Sequence, residues 1–425
     1  MNRYNNIIQV LLSKPLHLFA LKLLSKIAMF VFLLILARTL SQEEFGDFQF
    51  IAGITNLLSQ PLVVFGMVAA KIGCTFSPET QKGNLKWLAL KSLPFNTIAC
   101  ASTITAFLLL DPYLREYGKI STAWAFFPVS ITIAGSAAIQ FYSGFLQSLQ
   151  HFVAMGAVLF LSALIVTMTG GTAAILDAGM FSIYSSEAIG RIGGLLLLYW
   201  LLRKTLSGES VKPKSLPEGL TSFALVTLLT TVVFFLMTTL DILSVKYYFS
   251  SEEAGYYLRI EFVGRLLFLV GSTIATILLP RVATNYYNGT SSRRFLAKSS
   301  LLFISFSTLC ALGIFIFKEA AFGIIFGKSF SPNTSIVFLL LFSRVAHAYL
   351  FILVNYFIGT SQLKFSLIIA AYTAIQTLFA LMFHEHITQL AISSAICSAC
   401  CAATLILAII RFKQNNIPGK CQCNA

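Results

Sequence analysis

Runs of about twenty consecutive apolar residues recur from one end of the chain to the other, and a helix of that length crosses a hydrocarbon core about 30 Å thick. Only 11% of the residues are charged, against roughly 25% in a soluble domain. Backbone in lipid must satisfy its own hydrogen bonds, which restricts spanning segments to helices and closed barrels. A barrel would show short segments of alternating polarity, whereas these runs are continuous. The sequence therefore predicts an all-α polytopic membrane protein.

Twelve apolar runs are long enough to be transmembrane spans. They lie near residues 17–38, 48–70, 87–110, 122–144, 152–174, 179–202, 219–241, 255–279, 297–317, 333–356, 365–384 and 387–410. The polar connection from Arg203 to Gly219 is rich in Lys, Pro, Ser and Gly, which is typical of a linker. We therefore predict an N-terminal lobe at 1–205, a cytoplasmic linker at 206–218 and a C-terminal lobe at 219–425. Each lobe then has six spans, and because six is even, the two lobes share one orientation in the membrane.

One stretch of the sequence occurs twice. SQEEFGDF (Ser41 to Phe48) returns 209 residues later as SSEEAGYY (Ser250 to Tyr257). Two shorter echoes keep nearly the same offset, 86–89 with 294–297 and 148–152 with 361–365. Three matches in the same order indicate an internal repeat, so we expect the two lobes to be related copies.

The basic residues predict the orientation of the chain. With the N-terminus inside, the predicted cytoplasmic segments hold 18 Lys and Arg, and the outer loops hold 6. This is the positive-inside pattern, and it places both termini in the cytoplasm. The net charge of +14 is then an orientation signal, so we expect membrane lipids and no nucleic acid as partners.

Apart from these 18 and 6, six basic residues are left over, and all of them lie within predicted spans. They are Lys22, Lys26, Arg191, Arg259, Arg265 and Arg344. A charge at the bilayer centre costs about 2.5–3.5 kcal/mol on insertion scales, so such side chains are expected to face a bundle interior or a water-filled cavity. Arg259 lies near the outer end of its span and could instead reach the interface.

Two of these arginines have a glutamate four residues before them. Glu187 precedes Arg191, and Glu261 precedes Arg265, which gives (i, i+4) pairs in the favourable orientation. Two interpretations stay open. The pairs are neutralised contacts between packed helices, or they lie on a transport path where the glutamates take part in ion coupling.

Lys26 and Arg344 have no acidic residue within one helical turn, which makes them stronger functional candidates. Lys22 lies one turn from Lys26 on the same face and could instead extend to the inner headgroups. Asp241 ends the seventh predicted span at the outer surface. There it could cap the helix, pair with Lys246 or bind a coupling cation.

The predicted midplane residues comprise four cations against two glutamates, with Lys22 one turn away. A cationic interior built from both lobes is suited to an anion, so the residues alone predict a transporter of an anionic substrate that alternates between lobes. The sequence contains no GxxxxGK[ST] or HExxH motif and no connection long enough for an extramembrane domain. We therefore expect no enzyme activity, no cofactor and no metal site. A membrane-embedded transferase is the main rival enzyme class, because such enzymes also bind polyprenyl phosphates.

Three segments resemble one known family. ILARTLSQEEFGDFQF (Ile35 to Phe50), the segment from Thr239 to Leu267, and ILLPRVA (Ile277 to Ala283) are similar to Wzx-type O-antigen flippases. These belong to the polysaccharide branch of the multidrug/oligosaccharidyl-lipid/polysaccharide superfamily. The resemblance covers essentially the whole chain and implies a V-shaped fold, in which two parallel six-helix lobes flank a central cavity.

The resemblance also implies a function. Flippases of this family move undecaprenyl-pyrophosphate-linked oligosaccharide from the cytoplasmic to the periplasmic leaflet of a bacterial inner membrane, coupled to an ion gradient. An O-antigen polymerase and a chain-length regulator are the implied protein partners. The expected substrate-binding residues are Lys22, Lys26, Arg191, Arg265 and Arg344, and the candidates for ion coupling or charge pairing are Glu187, Asp241 and Glu261.

Two alternatives to a flippase stay open. One is an ion-coupled multidrug-type antiporter of the same superfamily, which an acidic and unpaired cavity would favour. The other is a non-transporting scaffold in a polysaccharide assembly complex.

Overall fold

The computed structural model describes residues 14–411 except 78, 207, 214–219, 288–289, 328–329, 361 and 363–364. Regular secondary structure in this part of the chain is helical throughout. The chain divides into two compact units, Met1–Leu228 and Leu229–Ala425. The first contains α1 (Lys14–Thr39), α2 (Gln42–Ser59), a 3₁₀ turn (Gln60–Leu62), α3 (Val63–Cys74), α4 (Gln81–Gly118), α5 (Phe126–Ser148), α6 (Phe152–Ile175) and α7 (Met180–Thr205).

The remaining helices begin with α8 (Leu220–Tyr248), which starts in the first unit and continues into the second. They continue with α9 (Ser251–Tyr287), α10 (Arg293–Ile316), α11 (Lys318–Phe326), α12 (Thr334–Gly359), α13 (Phe365–Met382) and α14 (Ile387–Arg411). Every one of the twelve predicted spans coincides with a helix from this set, the second of them interrupted by the 3₁₀ turn. The short helix α11 was not among the predicted elements.

Ten segments in the described residues are helical, long and apolar enough to cross a membrane. The two predicted spans that are not apolar enough to be among these ten are those of α7 and α9. Both are long enough, but charged side chains such as Arg191 and Arg265 interrupt their apolar runs. The prediction of an all-α, multi-pass membrane protein is confirmed, and α7 and α9 carry four of the eight candidate site residues.

The repeated stretch begins a helix in each unit. Ser41 starts α2 with a capping box: its Oγ accepts from Glu44 N–H at 3.2 Å, and its own N–H donates to Glu44 Oε2 at 2.9 Å. Ser250 starts α9 in the same way, with Glu253 bonds of 3.3 and 3.1 Å. Such a box satisfies two backbone donors that a helix start leaves open. The sequence repeat is therefore a repeated local structure.

Small residues bring the helices together within each unit. In the first unit α1 and α7 both pack against α6, and α3 packs on α5; in the second, α12 packs against both α9 and α14. At the α6–α7 contact, a Cβ on Gly190 would lie 2.4 Å from Val166 Cγ2, and Ser162 Oγ donates to Gly190 O at 2.8 Å. Close backbone approach and interhelical hydrogen bonds are the usual means of helix association in lipid.

The predicted linker is bound to the first unit where the structure describes it; residues 207 and 214–218 lie outside the described part. Val211 N–H donates to Gly83 O at 3.1 Å, and Lys86 Nζ donates to Gly208 O at 2.6 Å. A Cβ on Gly83 would lie 3.0 Å from both Glu209 O and Val211 Cγ2. A larger side chain at position 83 would therefore push the linker away from the start of α4.

We expect Gly83→Val to release residues 208–213, because the added methyl groups occupy the space of the linker. Loss of contacts of this kind should make cleavage after Glu209 by a glutamate-specific endopeptidase roughly three- to tenfold faster in the detergent-solubilised protein. Gly313→Val is the matched control, since a Cβ there meets nothing within 4 Å. Equal cleavage rates in the two variants would show that the linker is not held at Gly83.

Candidate functional site

An arginine buried in the second unit is surrounded by acidic and carbonyl oxygens. Arg344 on α12 is 3% exposed. Its Nη2 pairs with Asp241 Oδ2 on α8, its Nη1 donates to Thr238 O at 3.0 Å, and its Nε lies 3.1 Å from Glu261 Oε1 on α9. The guanidinium therefore joins three helices. A Cβ on Gly264 would lie 2.8 Å from Arg344 Cγ, so the absence of a side chain at that position lets α12 approach α9.

A second arginine shares one of these carboxylates. Arg265 Nε lies 2.7 Å from Glu261 Oε1, which is the (i, i+4) pair expected from the spacing. The Arg265 side chain is 26% exposed, whereas that of Glu261 is 0% exposed. We call Asp241, Glu261, Arg265 and Arg344 the ionic cluster. Its two positive and two negative charges cancel, as burial of ions requires.

The structure corrects two expectations about these residues. Arg344 has no acidic residue within one turn, but it has two acidic partners on other helices. Asp241 does not end its helix at a surface: α8 continues to Tyr248, and Asp241 is 3% exposed. Its ion-pair partner is Arg344 rather than Lys246, which is itself fully buried.

This pairing also changes the expected charge balance. With Asp241 included, the candidate residues in the second unit contribute no net charge. Glu187 and Arg191 have opposite formal charges in the first unit. The excess positive charge among the predicted site residues therefore comes from Lys22 and Lys26 alone.

Tyr257 and a serine–histidine chain extend the polar region, and none of these residues is among the predicted site residues. Tyr257 O–H donates to Asp241 Oδ2 at 3.3 Å. One turn after Arg344, His347 is fully buried, with Ser343 Oγ 3.3 Å from its Nδ1. Ser343 Oγ in turn lies 2.9 Å from Ser394 Oγ on α14. A polar contact thus links α12 to α14 beside the ionic cluster.

The repeat shows that the ionic cluster is special to the second unit. Phe32 and Asp241 each lie nine residues before the capping serine of their repeat, and Phe48 and Tyr257 lie seven residues after it. In the first unit the two phenylalanine rings meet edge to face, with centroids 5.8 Å apart. The equivalent positions in the second unit form the carboxylate–phenol hydrogen bond. The same two positions therefore meet in both units, and only their chemistry differs.

The two charged residues of the ionic cluster on α9 also have no charged counterpart in the first repeat. At the 209-residue offset, Glu261 corresponds to Ala52, and Arg265 corresponds to Asn56. Comparison of the repeats could have identified Asp241, Tyr257, Glu261 and Arg265 as one set from the sequence. At all four positions the second repeat has a polar or charged residue where the first repeat has a different, uncharged one. This common difference groups the four residues, which the pattern of midplane charges alone does not do.

The candidate residues in the first unit are spread over two helices. Lys22 and Lys26 are partly exposed on α1, which is held to α6 by a hydrogen bond of 3.2 Å from Ser25 Oγ to Leu159 O. Arg191 on α7 lies against α5, where a Cβ on Gly135 would be 2.9 Å from Arg191 Cβ.

Glu187 and Arg191 differ from the corresponding pair in the second unit. The Nε atom of Arg191 is buried and has no hydrogen-bond acceptor in the described part of the chain. Within the described residues no ion pair joins it to Glu187, unlike the contact between Glu261 and Arg265. The equal spacing of the two pairs therefore does not produce equal contacts.

We expect Arg344→Leu to destabilise the protein by about 3–5 kcal/mol, because it leaves the buried Asp241 carboxylate without its cation. The double variant Arg344→Leu/Asp241→Leu should regain most of this loss, since both charges are then absent. Arg265→Leu is the matched control and should cost less, because Glu261 keeps Arg344. Thermal unfolding in detergent measures all three. A double variant as unstable as the sum of the two single variants would contradict the pairing.

Comparison with solved structures shows which fold the chain shares. The lipid II flippase MurJ in an inward closed conformation matches with a TM-score of 0.68 and 14% identity, covering 93% of this chain and 88% of that chain. An inward-facing multidrug resistance MATE family transporter of the MOP superfamily matches with a TM-score of 0.66 and 13% identity, covering 90% and 93%. A MATE structure in complex with MaD3S gives 0.64 and 13%, covering 92% of each chain. These likenesses show the fold.

Comparison of the sequence itself shows the family. No curated protein gives a significant match to the chain. A model of the family described as "Polysaccharide biosynthesis protein" matches residues 11–286, which cover α1 to α8, the first repeat and most of α9. This match extends over more than half of the sequence, and the chain therefore belongs to the polysaccharide biosynthesis protein family, with a fold like that of MurJ and MATE transporters.

Proposed function

We propose that the chain is a flippase for lipid-linked oligosaccharides, which moves undecaprenyl-pyrophosphate-linked O-antigen or related polysaccharide repeat units from the cytoplasmic to the periplasmic leaflet of a bacterial inner membrane. The observation that carries this proposal is the family match over residues 11–286 on a multi-pass helical fold like that of a lipid II flippase. In this proposal both termini are cytoplasmic. An O-antigen polymerase and a chain-length regulator are its expected partners.

The charges of the candidate residues support an anionic substrate. A pyrophosphate must be neutralised while it crosses the hydrocarbon, and Lys and Arg do this through charge-assisted hydrogen bonds. The excess cations are Lys22 and Lys26, both partly exposed on α1. We assign them the first contact with the pyrophosphate. Because α1 also carries apolar exposed residues such as Leu23 and Ile27, the polyprenyl chain can stay in the bilayer beside them.

The arginines are assigned to the same path with different roles. Arg265 is partly exposed and shares Glu261 Oε1 with Arg344, so it can turn to a phosphate while Arg344 keeps the carboxylate neutralised. Arg344 itself is buried and acts by holding Asp241 and Glu261. Arg191, four residues after Glu187 on α7, is assigned to the same path in the first unit. The three acidic residues remain the candidates for ion coupling.

The multidrug-type antiporter is the second candidate, and the MATE neighbours favour it. Organic cations need acidic side chains that are free to bind them. Asp241 and Glu261 are each ion-paired to an arginine, which disfavours them as a cation site in this state. The family match supports the polysaccharide substrate over an organic cation.

The test is complementation of a strain that lacks its own O-antigen flippase. We expect Lys22→Gln/Lys26→Gln to reduce surface polysaccharide about tenfold or more at a normal amount of membrane protein. Loss of charge-assisted hydrogen bonds worth about 1.5–3 kcal/mol lowers affinity by that factor. Lys91→Gln is the matched control, since Lys91 is exposed on α4 and is not a predicted site residue. Normal polysaccharide from the double variant would exclude the two lysines from the path.

A further inference from the structure

The position that holds Phe48 in the first repeat holds Tyr257 in the second, and the difference is one hydroxyl group. Both side chains are buried, with exposed fractions of 2% and 0%. The hydroxyl of Tyr257 donates to Asp241 Oδ2, the oxygen that also receives Arg344 Nη2. An apolar ring would fill the same space, as it does in the first unit. Packing therefore does not require the hydroxyl, and Asp241 is its partner in the structure.

The first unit also contains a tyrosine whose hydroxyl makes no such contact. Tyr184 stacks on Phe48, with ring centroids 6.5 Å apart and planes at 11°. It is 3% exposed, and its hydroxyl has no hydrogen-bond partner among the residues that the structure describes. The two buried tyrosines thus share size and burial but differ in whether the hydroxyl contacts a carboxylate.

We propose that Tyr257 is a positioning residue that holds the charged Asp241 carboxylate towards Arg344 during transport. The proposal rests on the flippase function above and selects Asp241 among the three acidic candidates for coupling. A phenol that donates to a carboxylate favours its charged form. The charged groups around Asp241 are Arg344 on α12 together with Glu261 and Arg265 on α9. With the hydroxyl present, Asp241 stays ionised and bound to Arg344 until an incoming proton or cation competes for it.

Removing the hydroxyl should make Asp241 easier to protonate. In Tyr257→Phe we expect the midpoint of the transport rate against pH to move to higher pH by about one unit, the size expected for one hydrogen bond to a charged group. In Tyr184→Phe, the matched control, the midpoint should stay where it is in the wild type. A role in packing alone would move neither curve.

The experiment uses the full chain in liposomes with undecaprenyl-pyrophosphate-linked oligosaccharide extracted from producing cells. Transport is followed by oxidation of outer-leaflet sugars with impermeant periodate. An unshifted curve for Tyr257→Phe, with active wild type and active Tyr184→Phe, would overturn the proposal and leave the flippase function standing. No transport by the wild type would overturn the flippase function itself.

The contact is tested separately by thermal unfolding. In a double-mutant cycle, Tyr257→Phe and Asp241→Ala should be non-additive, because each removes one side of the same hydrogen bond. Additive effects would show that the hydroxyl does not act on Asp241, and they would overturn the proposal whatever the transport assay gives.

Discussion

A charge in the membrane interior is costly unless it is paired or faces a water-filled cavity, and the second unit pairs its buried charges. Arg344 holds α8, α9 and α12 together because its acidic partners and a carbonyl lie on two helices other than its own. Replacing such a cluster by apolar residues is often neutral or stabilising. Its retention in one unit, where the other unit has an aromatic pair, therefore points to a role beyond stability.

The duplication explains how one fold supports different chemistry in its two halves. Capping boxes at Ser41 and Ser250 begin equivalent helices. The residues through which each of these helices contacts the helix before it also occupy equivalent positions. In the first unit these residues are Phe32 and Phe48, which pack as rings. In the second they are Asp241 and Tyr257, which hydrogen-bond within the ionic cluster. In the proposed mechanism, the excess cations on α1 bind the substrate and the second unit responds to the coupling ion.

Local features of the structure could be predicted from the sequence, and long-range contacts could not. The helices follow from apolar runs, and the Glu261–Arg265 pair follows from its spacing, because both depend on neighbouring residues. The partners of Arg344 lie 83 and 103 residues away along the chain, and no periodicity indicates them. Asp241 was placed at a helix end because the apolar run stops there, yet α8 continues through buried polar residues. Docking of Val211 on Gly83 likewise depends on tertiary structure.

We propose that the chain moves a lipid-linked, pyrophosphate-bearing oligosaccharide and not an organic cation. The most direct measurement compares the two activities in the same liposomes: translocation of undecaprenyl-pyrophosphate-linked oligosaccharide, and ion-driven uptake of ethidium. We expect protein-dependent translocation of the oligosaccharide, with ethidium uptake no faster than in empty liposomes. Ethidium uptake without oligosaccharide translocation would contradict it and would assign the chain to the multidrug-type antiporters.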